Sequence, residues 1–359
     1  GAVKIAPSHD PVDFEASQRK GLPRINIINP DATMNDNAGE FSGMDRFKCR
    51  EAILSHLENN RLLAKVEPYI HSVGHCQRCQ TLIEPLCSKQ WFVRMEPLAQ
   101  PAINAVKEGD IRIIPEHFTR VYLNWMENIR DWCISRQLWW GHRIPVWYCQ
   151  DCSGLTVDTE PATRCRHCNS IRIEQDPDVL DTWFSSALWT HSTLGWPDDT
   201  ADLGYFYPTS VMETGYDILF FWVARMIMMG LENTGKIPFH TVYLHGLVRD
   251  KKGEKMSKVR GNVINPLRTI EQYGTDALRF ALSTNTAPGN DIKLTPSRLE
   301  AGRNFANKLW NATRFILRSA GDEDGNYLPG TNQLPVEDRW ILSRLNRTIA
   351  SVTKTMDGF

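Results

Sequence analysis

Short apolar strands alternate with helices between residues 181 and 280, and this alternation restricts the fold more tightly than any other feature of the sequence. Residues 209–212 and 241–244 are apolar runs of strand length, whereas 218–231 and 276–282 carry apolar residues at helical spacing. A chain that passes through a helix before each new strand builds a parallel sheet, so the expected class is α/β. In an open sheet of this kind, ligands gather beyond the C-terminal ends of the strands. At 359 residues, 42% hydrophobic and 23% charged, the chain has material for several domains with cores of their own.

The segments that leave both strands carry suitable residues. Thr214-Gly215-Tyr216-Asp217 joins the first strand to the apolar helix bearing Trp222. Gly215 can admit a ligand, and Asp217 presents a carboxylate that would hold an ammonium group; capping the helix is the plainer use of such an aspartate. His245-Gly246 ends the second strand. The glycine lets a nucleotide approach the backbone, and the imidazole can bond a phosphate or a ribose; the alternative is a histidine that only packs. The loop 249–262 follows, with Lys255-Met256-Ser257-Lys258 between Gly253 and Gly261. Two ammonium groups three residues apart on a hinged loop suit a triphosphate, because charge developing on a pyrophosphate leaving group needs donors that arrive in the transition state. A solvated basic hairpin is the competing reading, and the position after a strand end favours the functional one.

Nine cysteines include six in three Cys-x2-Cys pairs, which fits metal binding in a reducing compartment, the cytoplasm, better than a disulfide framework. Cys149, Cys152, Cys165 and Cys168 form two pairs separated by twelve residues, able to set four thiolates around one structural Zn2+. Cys76 and Cys79 make a half-site candidate with no second free pair to complete it. Cys49, Cys87 and Cys133 read as ordinary buried thiols.

Elsewhere, 2–7 and 25–28 read as buried strands around His9-Asp10-Pro11-Val12-Asp13, and 73–85 is strand-rich. Helical patterns cover 44–63, 90–106, 121–137, 303–317 and 336–356, with a Pro/Gly/Asp-rich linker at 321–335. The last helix has an apolar face, Ile341, Leu345, Ile349 and Val352, that it cannot bury alone, so it is expected to open a larger bundle. The net charge of −1 neither points to nucleic acid nor excludes it. Twelve tryptophans indicate large cores before stacking platforms. The apolar run 218–229 is broken by Arg225 and is shorter than the about 20 residues of a membrane span. The opening Gly1-Ala2-Val3-Lys4-Ile5 lacks the zones of a secretory leader and an initiating methionine, so the sequence is expected to start inside a domain.

Taken together, these residues resemble the class I aminoacyl-tRNA synthetases. The blocks that carry the resemblance are Asp181-Thr182-Trp183-Phe184-Ser185-Ser186, residues 215–222, Asp131-Trp132-Cys133-Ile134-Ser135-Arg136-Gln137 with Trp139-Trp140-Gly141, the Lys255–Lys258 signature, and Asn307-Lys308-Leu309-Trp310-Asn311. The resemblance implies the second half of a Rossmann-type catalytic sheet (181–300), preceded by the end of a β-rich editing domain (1–85) and a connective segment with a zinc knuckle (86–180). A helical junction (301–335) and the start of an α-helical anticodon-binding bundle (336–359) would follow. It also implies a monomeric enzyme that activates L-valine with ATP and Mg2+ and charges the tRNA for valine. Asp217 would bind the valine ammonium, with Trp183, Trp222 and Gly215 shaping the pocket. His245, Gly246, Met256, Ser257 and Asn262 would attend ATP, and Lys255 and Lys258 its phosphates. Asp10 and Asp13 would belong to editing of mischarged threonine, which a hydrophobic pocket admits too readily. The family's His-x-Gly-His signature is not in this sequence, so the chain alone is expected to be inactive, and Val259 stands where the family commonly has serine. Two alternatives stay open within the resemblance, a non-catalytic zinc-containing module that holds tRNA or ATP and an isoleucyl- or leucyl-type relative; a third reading, another adenylyl-forming nucleotidyltransferase, predicts neither the knuckle nor the tryptophan pocket.

Overall fold

The computed structural model describes residues 3–76, 79–257, 261–284, 286–320 and 334–359. It divides into two compact units, Gly1–Gln90 and Trp91–Phe359. The linker expected at 321–335 lies almost wholly outside the described residues.

The first unit is built on helices α1 (Pro11–Lys20) and α2 (Arg46–Asn59). Both start on an aspartate, Asp10 and Asp45, whose carboxylates accept the first backbone NH groups. Gly21 stops α1 in the left-handed conformation, φ 63°. The strands expected at 2–7 and 25–28 and in 73–85 do not form ladders; the unit's described residues show isolated bridges at Ile28–Met34 and His75–Leu82 instead. The apolar runs there are short and in part solvent-facing, with Val3 83% and Ile25 58% exposed. Side chains hold the backbone in place of a ladder: Ala6 N donates to Asp13 Oδ2 at 2.7 Å and Ile27 N to His9 Nε2 at 3.1 Å.

The second unit has a parallel three-stranded sheet, β1 (Arg112–Ile114), β2 (Thr209–Gly215) and β3 (Phe239–His245), in the order β1-β3-β2. β3 pairs Val242 with Ile113 on one side and with Met212 on the other, and its last residue, His245, is level with Gly215. β1 thus brings a stretch of the segment 86–180 into the same sheet as 181–300. Helices α3 (Glu96–Lys107) and α5 (Arg225–Thr234) cover the face formed by Ile113, Met212, Val242 and Leu244, with α4 (His117–Glu127) beside them. Small residues on α3, Ala99, Ala102 and Ala105, allow a close approach.

Two helical expectations shift. The first, 90–106, starts at Glu96, because Trp91 lies before a short pairing of Phe92–Val93 with Cys133–Trp132. That pairing also ends the second, since Trp132 is drawn into the core as a strand residue. The apolar helix after β2 is wound in three geometries: a 3-10 turn at Tyr216–Ile218, a π turn at Leu219–Ala224, then α5. Such π turns concentrate at functional sites.

Beyond β3, Val248–Arg249 pairs in parallel with Ile292–Lys293. Helices α6 (Pro266–Tyr273) and α7 (Thr275–Ser283) meet at Gly274, φ 92°. α7 packs on the long α8 (Pro296–Ala320), where Phe280 stacks on Phe305 at 4.6 Å and a side chain at Gly302 would strike the Ala277 carbonyl at 2.7 Å. The final helix α9 (Val336–Asp357) presents Ile341, Leu345, Ile349 and Val352 about half exposed among the described residues.

Candidate active site and metal centre

The C-terminal ends of β2 and β3 lie side by side, so the residues that leave them share one edge. A side chain at Gly215 would come within 2.9 Å of Asp217 Oδ1 and 3.6 Å of His245 Cε1; the glycine keeps the space between that carboxylate and that imidazole open. Asp217, in the 3-10 turn, accepts from Lys255 Nζ at 2.8 Å. His245 donates from Nδ1 to the Gly246 carbonyl at 2.8 Å and directs Nε2 at Glu213, 3.3 Å away. Gly246 has a packing reason of its own. A Cβ there would fall 1.7 Å from the Asn290 carbonyl oxygen, a backbone atom that cannot step aside.

The loop after β3 is tied by its own polar groups. Asp250 accepts the Lys252 and Glu254 NH groups, both at 2.9 Å, and the Asn262 side-chain amide at 3.0 Å. Asn262 also accepts the Ser257 NH at 2.8 Å and donates to the Lys255 carbonyl at 3.3 Å, so it clasps both ends of the turn that carries Lys255, Met256 and Ser257. These bonds, the Asn262 amide first, hold the Asp250 carboxyl below the usual aspartate range. Gly253 sits at φ 85° and Gly261 at φ 68°, the two turns expected to act as hinges. Lys258 lies outside the described residues.

Residues 4–295 match the family model described as tRNA synthetases class I (I, L, M and V). The chain belongs to this family. A valine–tRNA ligase of Dehalococcoides mccartyi is 64% identical over 359 residues, all of this chain and 40% of the relative. Those of Symbiobacterium thermophilum and Thermotoga maritima are 59% and 56% identical, again over the whole chain and 39% and 41% of the relatives. The chain therefore spans about 40% of the length of the curated relatives it matches. Among solved structures, Mycobacterium tuberculosis methionyl-tRNA synthetase in complex with methionyl-adenylate shares the fold, with a TM-score of 0.61 at 21% identity over 80% of this chain and 52% of the other. Membership sets aside the reading as an unrelated nucleotidyltransferase.

Within this class I synthetase sheet, the two tryptophans expected at the pocket meet one short helix, Thr182–Ser186. Trp183 belongs to it and stacks on Phe221 at 6.2 Å; Trp222 donates from Nε1 to the Ser186 carbonyl at 3.1 Å and lies 5.8 Å from Trp189. Below them is a charged cluster that the sequence marks only through the family blocks. Asp181 is buried and accepts from Trp132 Nε1 at 2.9 Å and Arg136 at 2.8 Å. Arg225 lies 3.8 Å from the same carboxylate with its guanidinium 3.7 Å over the Trp132 ring. Burial lowers the Arg225 pKa to about 10. A cleft of about 730 Å³ opens beside this cluster, lined by Trp125, Asp131, Trp132, Arg136, Phe220 and Arg225. Arg225, the single arginine of the apolar α5, carries no periodic signal, so only the contact itself reveals its part in the cluster.

The four cysteines of the two complete pairs converge, their Sγ atoms all within 4.8 Å of one another. Cys149–Cys168 and Cys152–Cys165 are 3.5 and 3.6 Å apart, close to the about 3.8 Å between sulfurs on a tetrahedron with Zn–S bonds of about 2.3 Å. The two halves fold alike. Cys149 and Cys165 each donate their NH five residues on, to Gly154 O and Ser170 O, and accept from the fourth residue, Ser153 and Asn169, which take the left-handed conformation at φ 56° and 62°. A side chain at Gly154 would meet the His167 ring at 2.6 Å. The thiols oppose one another: backbone NH groups of Cys168 and His167 bring Cys165 down to about 6, while Cys168, despite the Ser170 NH, is pushed up to about 12 by Cys152 and Cys149. Four sulfurs this close fit a Zn2+ ion, which favours the thiolate at every position.

Cys76 repeats the bonds of one such half: its NH donates to Thr81 O, its carbonyl accepts from Gln80 N, and Gln80 is left-handed at φ 60°. The Thr81 hydroxyl and NH bring Cys79 down to about 7. In the same unit, Asp10 Oδ1 accepts the Val12 and Asp13 NH groups at 2.9 Å, and Asp13 accepts the Ala6 NH. Both carboxylates thus have local structural duties. No helix of the described residues is long and apolar enough to cross a membrane.

Proposed function

We propose that this chain is the amino-acid- and phosphate-handling portion of an ATP-dependent ligase that charges the tRNA for valine. The observation that carries it is the 64% identity to a valine–tRNA ligase along every residue of the chain. Asp217 holds the valine ammonium, and Trp183 and Trp222 wall a pocket for a small branched side chain, with Gly215 leaving room. His245 and Gly246 attend ATP, the loop residues Met256, Ser257 and Asn262 fold around it, and Lys255 and Lys258 neutralise the charge that develops on the departing pyrophosphate, with Mg2+ on the phosphates. Cys149, Cys152, Cys165 and Cys168 hold a structural Zn2+, with Cys76 and Cys79 as half of a second site. Asp10 and Asp13, within residues 1–85, serve editing of mischarged threonine. The segments 86–180, 181–300, 301–335 and 336–359 act as the connective, catalytic, junction and anticodon-side regions of a monomeric cytoplasmic enzyme.

Valine-dependent exchange of pyrophosphate into ATP tests this, on the chain alone and on the chain extended upstream to the length of its relatives. Exchange is expected only in the extended protein. No exchange in either leaves a zinc-containing tRNA- or ATP-binding module as the better reading, and leucine- or isoleucine-dependent exchange would move the assignment to those relatives.

A further inference from the structure

One carboxylate outside the expected site residues touches every segment of the candidate active edge. Asp291, in the strand-forming turn before Ile292, accepts the Leu247 NH on Oδ1 at 2.8 Å, directly after His245-Gly246. Its Oδ2 accepts from the Tyr216 hydroxyl at 3.1 Å, next in sequence to Asp217, and forms an ion pair with Arg249 Nε at the base of the loop. The other two guanidinium nitrogens of Arg249 reach the Tyr216 hydroxyl and the Gly253 carbonyl, both at 3.3 Å. The position of Asp291 is fixed from the backbone side as well, since the Asn290 carbonyl fills the space over Gly246 and Val248–Arg249 pairs with Ile292–Lys293.

We propose that Asp291 is a positioning residue that sets Asp217, through Tyr216, and the Lys255 loop, through Arg249, in one fixed relation across the strand ends. This rests on the reading of Asp217 and Lys255 given above. The physical need is plain. The ammonium of the amino acid and the phosphates of ATP must be held together to within a fraction of an ångström, yet Asp217 and Lys255 hang on separate segments 38 residues apart. A carboxylate with two oxygens and three donors from the two strand-end segments, Tyr216 after β2 and Leu247 and Arg249 after β3, supplies the common reference, and charge-assisted bonds are the stiffest available for that purpose.

The two arms predict a split that loss of folding alone would not produce. In the protein extended to the length of its relatives, Tyr216→Phe should raise the valine KM about ten-fold with kcat within about two-fold, the scale of one hydrogen bond to a charged group. Arg249→Gln should lower the exchange kcat about ten-fold and leave the valine KM within about two-fold. Asp291→Asn should do both, and Asp291→Asn combined with Arg249→Gln should lower kcat no further than Arg249→Gln alone. A second readout needs no activity: tryptic cleavage at Lys251, Lys252 and Lys255 should speed up several-fold in Asp291→Asn and Arg249→Gln but not in Tyr216→Phe. Unchanged kinetics in Asp291→Asn, or all parameters falling together with the melting temperature, overturns the inference. Absence of valine-dependent exchange in the unsubstituted protein overturns the functional reading instead, and the proteolysis pattern then decides whether Asp291 still orders the loop.

Discussion

The cysteine knuckle and the candidate active edge both gather charged or ionisable groups into a few ångströms, yet they do so by opposite means. In the knuckle every ligand is within twenty residues of every other, and each half is set by the same short-range bonds, Cys149 to Gly154 and Cys165 to Ser170. At the edge, Asp217, His245, Lys255 and Asp291 come from four segments and depend on the sheet register His245–Gly215 to meet at all. The cysteine cluster is a local device; the strand-end edge is a property of the fold. Substitutions should therefore disturb metal retention without touching the edge, and the reverse.

The largest effect is expected at Lys255. Lys255→Ala in the extended protein should lower the valine-dependent exchange kcat by about 10² to 10³, the usual scale for one donor lost from a developing oxyanion. Its ammonium pairs with Asp217 at 2.8 Å in the structure, in the place proposed for the substrate ammonium. The valine KM should accordingly stay level or fall, whereas Asp217→Asn should raise it. Steady-state kinetics with valine and ATP varied in turn checks both, and a Lys255→Ala protein with full kcat would remove the lysine from the chemistry. Zinc content, measured on the same proteins, should not change.

The reverse experiment is Cys165→Ser. Structural zinc in small domains is bound with roughly 10–16 kcal/mol shared among four ligands, so losing one thiolate should cost about 3 kcal/mol, or about a hundred-fold in affinity. Competition with a chromogenic chelator reads this directly. The strands Val146–Cys149, Leu155–Val157 and Ile173–Gln175 that frame the knuckle should gain amide exchange, while β2 and β3 should not. Loss of protection in β3 would mean that the two regions are not independent.

What the sequence disclosed follows the same division. The cysteine spacing foretold the cluster of four sulfurs because ligand and scaffold share one short stretch. β2 and β3 were legible as apolar runs, and the helix after β2 as a helical period, although not its π turn. The strands expected in the first unit were a misreading, because an apolar run says nothing about a pairing partner and those runs stay partly exposed, Val3 83% and Ile25 58%. Least legible were the long-range polar contacts: Asp291 to Tyr216 spans 75 residues and Trp132 to Asp181 spans 49, and neither pair leaves a periodic or spaced signature. Gly246 is an instructive middle case. From the sequence, its missing side chain makes way for an approaching nucleotide, while the structure shows Asn290 already occupying that direction.

That case gives the smallest of the predicted effects and separates packing from ligand contact. A methyl group at position 246 meets a backbone oxygen at 1.7 Å, so Gly246→Ala forces the 290–291 turn outward and should destabilise the protein by about 1–3 kcal/mol in the absence of any ligand. Gly204, in the short helix Ala201–Phe206, has nothing within 4 Å of the same imagined atom. Gly204→Ala should then be neutral or stabilise by up to about 1 kcal/mol, through helix propensity and a less flexible unfolded chain. Denaturant melts of both variants without nucleotide make the comparison. If Gly246→Ala melts like the unsubstituted protein but loses ATP binding, the glycine is kept for the nucleotide alone. If stability falls first, the turn that carries Asp291 is what the glycine makes room for, and its effect on ATP is transmitted through that turn.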